Sequence, residues 1–341
     1  MSDTLSPAEL EAVAEQLAGA GDPVAGPLSA DLIAGGRSNL TFRLTDGASR
    51  WVLRTPPRAG RTPSAHDVAR ELRITSALDG TGVPVPRPVL LCEDESLLGG
   101  PFAVAAYVDG RVLQARGELD ALDDAELDAT VTELVRVLAA LHGVDHEAAG
   151  LGAMARPGDY GARQLKRWSG QWEHVGTGPL EPLGPRVAEL ASAVADALPP
   201  QRVTGVVHGD YRIDNCLLAP DAPRVAAVVD WELATIGDPV ADVAMMTAYL
   251  DPAFDLVIGE PCAWTSPRLP DADGLAARYE QAGGAALDGW AAHQALACLK
   301  VAVIAAGIDH RKRAGAGSGP GFDTAGQAVE PYLDRGLALL T

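Results

Sequence analysis

Residues 206–231 constrain the chain most. Two apolar runs, "VVHGDYRIDNCLL" and "RVAAVVDW", call for burial, yet His208, Asp210, Asp214, Asn215 and Asp230 stand in or beside them. Aspartate and asparagine are poor strand residues, so polar groups there ask for a chemical purpose. The connecting "APDAP" reads as a turn. Folded as an antiparallel hairpin about residue 222, "NCLL" and "RVAAVVD" bring Asn215 and Asp230 to one open end, with Asp210 five residues before Asn215. A small set of oxygen donors suits Mg²⁺, which takes one or two protein groups and completes its shell with phosphate and water. Phosphoryl transfer needs such an ion, and a carboxylate that orients the attacking hydroxyl and accepts its proton. Asp210 is the expected base, and Asn215 and Asp230 the expected Mg²⁺ ligands. His208 is expected to support the loop backbone.

The rest of the chain divides by periodicity. "SPAELEAVAEQLAGAG" predicts a helix capped by Ser6, with Pro7 in its first turn and Glu9 completing a capping box. Alternating runs over about 29–55, punctuated by Gly35-Gly36 and Asp46-Gly47, predict three antiparallel strands. "PSAHDVARELRITSAL" returns to helical spacing, with Val68, Leu72 and Leu78 on one side, and two more strands follow up to "AYVDG". Helices dominate from about residue 120, interrupted by short strands over 203–231. Segregated strands and helices predict an α+β fold. A boundary at "AYVDGRV" gives residues 1–108, a small antiparallel sheet with a helix, and 109–341, mostly helical.

On these motifs a resemblance can be stated. His208-Gly209-Asp210, four residues, Asn215 and then Asp230 resemble the catalytic loop and metal aspartate of the aminoglycoside phosphotransferase-like kinases, which share the two-lobed protein-kinase fold. "GGRSNLTFRL" is similar to that family's phosphate-covering loop, "WVLR" to the strand that normally carries a lysine, and "AHDVARELRI" to the helix whose glutamate pairs with it. "GDPVADVA" resembles the helix start that braces the catalytic loop, with Asp242 as the brace. "GARQLKRWSGQW" and "PFAVAAYVDGRVL" are similar to the branch containing the kinase-like domain fused to acyl-CoA dehydrogenases in animals. The resemblance implies ATP as phosphate donor, with GTP as an alternative. It implies backbone approach to the phosphates at Gly35 and Gly36, and donors on Ser38 and Asn39. Arg54, in the lysine's place, would pair with Glu71 and keep the positive charge with a different reach. Backbone groups of Ala105, Tyr107 or Val108 would read the adenine edge.

Composition narrows the partners. A net charge of −19 disfavours wholesale binding to nucleic acid. Within it, residues 37–73 hold eight arginines against Asp46, Asp67 and Glu71, a local +5 that favours an anionic ligand. Four scattered cysteines suit a reducing, cytoplasmic setting. No basic start followed by an apolar stretch marks a signal peptide, and no run of about eighteen apolar residues marks a membrane span. The expected acceptor is a small hydroxylated molecule. "RQLKRWSGQW" sets Arg163, Arg167, Trp168 and Trp172 on about three turns of helix, a set suited to an acyl chain with an anionic head, and the branch resemblance points to a hydroxyacyl group or its coenzyme A thioester. An aminoglycoside or macrolide acceptor, and a catalytically weak nucleotide-binding protein on the same fold, are the alternatives.

Overall fold

The computed structural model describes residues 4–34, 39–57 and 67–341. They form two compact units: Met1–Gly110 with Ala226–Ala234, and Arg111–Val225 with Thr235–Thr341.

In the first unit, strands β1 (Ser29–Ala34), β2 (Leu40–Thr45), β3 (Arg50–Thr55), β4 (Pro88–Cys92) and β5 (Phe102–Ala106) form an antiparallel sheet in the order β1-β2-β3-β5-β4. Alternation sets the register. Leu40, Phe42 and Leu44 of β2 point inward, as do Trp51 and Leu53 of β3, and all five are buried with Val13, Leu17, Phe102 and Val104 in one core. Each such side chain contributes roughly 1.5–3 kcal/mol by leaving water. The Asp46-Gly47 turn forms as expected: Gly47 takes φ +89°, and Asp46 Oδ1 accepts from the N–H groups of Ala48 and Ser49. Helix α1 (Pro7–Gly19) starts with the predicted capping box of Ser6 and Glu9. Helix α2 (Val68–Leu78) buries Val68, Glu71, Ile74 and Leu78, while the expected core residue Leu72 is only half-buried. A glutamate thus lies on the packed face, which requires a partner. Helix α3 (Glu95–Leu98) is a single turn. The segment Ala226–Ala234 is held to this unit by Val228 N–H to Pro84 C=O (2.8 Å) and by Arg70, whose guanidinium donates to the carbonyls of Glu232 and Ala234.

The second unit holds helices α4 (Arg116–Asp120), α5 (Asp124–His142), α6 (Tyr160–Val175), α7 (Gly184–Ala197), α8 (Pro239–Ala248), α9 (Phe254–Ile258), α10 (Ala272–Gln281), α11 (Trp290–Arg313) and α12 (Val329–Ala338). Short strands interrupt them: β6 (Gly205–Val207), β7 (Cys216–Leu218), β8 (Val225–Val228), which leads into the first unit, and β9 (Thr235–Gly237). β6 and β9 pair antiparallel, with Val206 opposite Ile236. The turn after β7 is closed by Ala219 N–H to Arg224 C=O (2.8 Å). Helix α11 packs against α6, α7, α8 and α12 and is apolar on nearly every side. Its length and composition would let it cross a membrane, but 78% of its most apolar window is buried inside the protein, as befits a core helix.

Candidate functional site

The predicted catalytic loop lies in the second unit, between β6 and β7. Its shape is set from beneath by Asp242, one turn into α8. That helix starts where expected: Asp238 caps it by accepting from Val240 N–H, and Pro239 occupies the first turn. Asp242 is fully buried and accepts from the backbone N–H groups of His208 (2.6 Å) and Gly209 (2.8 Å). Its Oδ2 also meets His142 Nε2 at 3.2 Å, and His142 Nδ1 meets Tyr279 Oη at 2.7 Å. The tyrosine donates to Nδ1 and fixes the tautomer that donates from Nε2. Burial alone would raise the Asp242 pKa. The His142 hydrogen bond, the favourable electrostatics of the His142 and His208 imidazoles and the Gly209 N–H outweigh it, and the carboxyl ends below its ordinary value. Gly209 takes φ +82°, a conformation that a side chain would strain. His208 supports the backbone, accepting from Asp210 N–H at Nδ1 (3.3 Å). Tyr211 anchors the loop to α5 through its hydroxyl and Leu134 C=O (2.8 Å).

Asp210 projects from this braced loop with its carboxylate held on both oxygens. Oδ1 accepts from Tyr249 Oη (2.6 Å) and Arg212 Nε (3.3 Å), and Oδ2 from Asn215 Nδ2 (3.1 Å). Tyr249 remains a donor because burial, then the Asp210 charge, holds its pKa well above the usual tyrosine value. Asn215 also donates from Nδ2 to the Asp210 carbonyl (2.8 Å). With Nδ2 committed twice, hydrogen bonds among the described residues leave its Oδ1 unused. Tyr249 was missed by sequence reasoning. It stands 39 residues from Asp210 and carries no motif of its own.

Asn39, Arg54, Glu71 and Asp230 meet in the first unit. Arg54 spans two carboxylates, Nη1 to Glu71 Oε2 (3.0 Å) and Nη2 to Asp230 Oδ1 (3.4 Å). Asp230 has φ +64° and is the one non-glycine residue with positive φ among those described, a conformation that costs energy and clusters at functional sites. Its Oδ2 has no hydrogen bond among the described residues. Asn39 is buried and donates from Nδ2 to Glu71 Oε1 (2.8 Å), while its Oδ1 is buried without a partner. One of its two amide N–H donors is therefore committed to Glu71. Gly35, Gly36 and Ser38 lie outside the described residues. Among the described arginines of the basic stretch, Arg43 pairs with Asp31 and Arg50 with Asp109, while Arg37, Arg58 and Arg61 lie outside the described residues. At the proposed adenine edge, Ala105 sits in the ladder opposite Val52, and Tyr107 N–H already serves Arg50 C=O (3.1 Å). Val108 takes part in no backbone hydrogen bond among the described residues.

Burial pushes the Glu71 pKa up to about 7, helped by the charges of Asp230 and Glu232 and opposed by Arg54 and the Asn39 hydrogen bond. Its unfolded value is near 4.5. The folded chain therefore keeps a proton that the unfolded chain has released. This contribution to stability is complete below pH ~4.5 and is lost as pH rises through ~7, by up to about 3 kcal/mol. Urea unfolding of Glu71→Gln is expected to lack that decline relative to the native protein. Parallel pH profiles would show that Glu71 titrates normally.

The Arg163–Trp172 set separates. Arg163 donates from Nη1 to the carbonyls of Arg156, Pro157 and Gly158, a structural clasp at the start of α6. Trp172 is buried, and a Cβ on Gly176 would fall 2.3 Å from its ring. Trp168 is half-buried, with the exposed Arg167 guanidinium 5.1 Å from its ring centroid. The basic "HRKR" cluster ends α11 and is locally engaged: Lys312 with Asp323, Arg313 with Asp309, His310 with Thr177.

The donor set fits magnesium. The second unit offers an unused amide oxygen on Asn215 and the first an unused carboxylate oxygen on Asp230, each a hard donor of the kind magnesium takes. Among the described residues no cluster of three or more His, Cys, Asp or Glu side chains forms a cage for a more protein-bound metal.

Comparison with known proteins agrees with this geometry. Residues 29–296 match the family model described as "Phosphotransferase enzyme family". The chain is 33% identical over 313 residues to mouse acyl-CoA dehydrogenase family member 10, covering 91% of this chain and 29% of that protein. It is 34% identical to chicken acyl-CoA dehydrogenase family member 11, covering 92% of this chain and 41% of that one. It thus spans well under half the length of these two relatives. Viomycin phosphotransferase of Streptomyces vinaceus is 30% identical over 214 residues, 59% of this chain and 68% of that enzyme. A Ralstonia eutropha crystal structure, provisionally named an aminoglycoside phosphotransferase, superposes with a TM-score of 0.82 at 33% identity over 97% of each chain. Aminoglycoside phosphotransferase APH(4)-Ia, solved with AMP-PNP and hygromycin B, shares the fold at a TM-score of 0.59 and 17% identity, over 96% of this chain and 98% of that one. The fold is that of the kinase-like aminoglycoside phosphotransferases, and the chain belongs to the phosphotransferase enzyme family.

Proposed function

We propose that the protein transfers the γ-phosphoryl group of Mg-ATP to a hydroxyl of a small molecule. The observation that carries this reading is the Asp210 carboxylate, fixed by Tyr249 and Asn215 on a loop that Asp242 holds by two backbone N–H groups. The acceptor oxygen attacks the γ-phosphorus, the bond from that phosphorus to the β–γ bridging oxygen breaks, and ADP leaves with the electron pair. The acceptor proton passes to Asp210. Asn215 Oδ1 and the Asp230 carboxylate would hold the magnesium ion, which would supply positive charge at the phosphate oxygens. Residues 1–108 serve the nucleotide and 109–341 the chemistry and the acceptor. Arg54 grips phosphate while Glu71 orients it, and Val108 N–H reads the adenine edge. The work belongs in the cytoplasm, where Mg-ATP is abundant and the four free cysteines stay reduced.

The acceptor class follows from the neighbourhood of Arg167 and Trp168, a cation stacked on an indole, which suits a hydroxyacyl group or its coenzyme A thioester. The acyl-CoA dehydrogenase names of the relatives support the same class. ADP release should depend on both Mg²⁺ and an acceptor when hydroxyacyl compounds, amino alcohols and aminoglycosides are offered in turn. Nucleotide binding without acceptor-dependent ADP release, across that panel, would instead mark a catalytically silent nucleotide-binding protein. In Asp230→Ala, calorimetry should show Mg²⁺-dependent ATP affinity reduced by about tenfold or more. Unchanged affinity would remove Asp230 from the metal site.

A further inference from the structure

One cleft in the second unit has hydrogen-bond donors to spare. It is lined by Tyr160, Gln164 and Trp168 of α6, Gly209, Asp242 of α8 and Lys300 of α11, among others. Lys300 Nζ donates to Gly209 C=O at 3.0 Å and lies 5.8 Å from the Trp168 ring centroid. Among the described residues no second hydrogen bond engages it, so two of its three N–H groups are unspent. Gln164 accepts from Trp168 Nε1 through Oε1 (3.1 Å), which turns its Nε2 the other way, without a described partner. The Tyr160 hydroxyl has no described partner either.

The carboxylate and carbonyl oxygens of the cleft, by contrast, are occupied, and His293 Nδ1, which also lines it, is buried without a described partner. Asp242 takes His208 N–H, Gly209 N–H and His142, and the Gly209 carbonyl takes Lys300. Burial pushes the Lys300 pKa down, and the charges of Asp210 and Asp242 push it back only in part. An added anion would stabilise the ammonium. The unspent ammonium and amide N–H groups, beside carboxylate and carbonyl oxygens that are already satisfied, describe a site for negative charge, and the Arg167 guanidinium over Trp168 adds a second cation. A volume of about 20 Å³ admits one water-sized group, so a carboxylate would place one oxygen in it while the rest of the ligand stays outside.

We propose that this cleft is an anion subsite for the acceptor, in which Lys300, with Tyr160 and Gln164, binds a carboxylate carried a few bonds from the reacting hydroxyl. Gly209 adjoins Asp210 in the chain, so a head bound at Lys300 sets the hydroxyl near the base. That last placement rests on the role of Asp210 proposed above. Binding of the carboxylate does not. A polycationic acceptor fits this cleft poorly, because Lys300 and Arg167 would repel it.

The test is equilibrium binding without nucleotide. The purified full chain is titrated with 3- and 4-hydroxybutanoate and with the corresponding amides, followed by tryptophan fluorescence and calorimetry. The carboxylates are expected to bind about tenfold or more tighter than the amides. Lys300→Met should erase that preference, and Lys300→Arg should keep most of it. Should Lys300→Met fail to fold, Gln164→Leu takes its place, with an expected weakening of about threefold to tenfold for carboxylates only. Equal binding of carboxylate and amide by the native chain overturns the proposal. So does a preference that survives Lys300→Met, or tighter binding of phosphate monoesters than of carboxylates. Phosphoryl transfer to neutral acceptors alone would leave the kinase reading standing and this subsite refuted. Carboxylate binding with no transfer to any acceptor would do the reverse.

Discussion

Asp210→Asn is expected to lower kcat for phosphoryl transfer by about 10³-fold, within the 10²–10⁴ that a positioned base supplies. The substitution keeps the shape of the side chain. Tyr249 Oη can still donate to an amide oxygen, as it now does to Oδ1 at 2.6 Å. The lost quantities are the negative charge that orients the hydroxyl and the basicity that takes its proton. An amide nitrogen at the position of Oδ2 would also face the Asn215 Nδ2 donor, now 3.1 Å away, so the local fit loosens slightly. Nucleotide affinity, which depends on other groups, should stay within about threefold of native by calorimetry. Undiminished turnover would show that the carboxylate is a structural member of the loop.

Asp242→Ala should have the largest effect on stability, a loss of about 3–5 kcal/mol in urea unfolding. The aspartate is buried and answers three donors: two backbone N–H groups of the catalytic loop and the His142 imidazole. Alanine leaves each without an acceptor, in a place that water reaches poorly, and His142 then carries only its Tyr279 partner. The loop should loosen as well. Amide exchange at His208 and Gly209 is expected to rise sharply, and kcat to fall even in the fraction that remains folded. A loss below about 1 kcal/mol with unchanged exchange would mean that the loop is held by other contacts, Tyr211 to Leu134 foremost.

The parts of the site visible in the sequence are those whose partners lie close along the chain or whose spacing encodes a turn. Asp210 and Asn215 belong to one loop, and the Asp238-Pro239 helix start places Asp242 a single turn into α8. Strand alternation likewise exposed β2 and β3, because one face of each is buried and the other is not. Tyr249 and Lys300 were not visible. They reach the loop from 39 and 91 residues away, through helix packing that no local spacing records. Lys300 did leave one trace, as a lone charge in the apolar run "ALACLKVAVIAAG" of α11. The neighbourhood of Glu71 was legible only in part for a related reason. Asn39 reads as a phosphate donor beside a glycine pair, and the sequence does not reveal that a buried glutamate, which needs hydrogen bonds, takes one of its two amide N–H groups. Arg163 and Trp172 show that clustering in sequence is not clustering in space: α6 sends one to clasp carbonyls and the other into the packing beside Gly176.

The most direct measurement is mass spectrometry of the acceptor after incubation with Mg-ATP, run side by side with native protein and Asp210→Asn. The expected result is an acceptor that gains one phosphoryl group in the native reaction, in step with ADP formation, and stays unmodified in the variant reaction. ATP converted to ADP and free phosphate with every acceptor unmodified, or equal phosphorylation by both proteins, would contradict the assignment of a small-molecule kinase acting through Asp210.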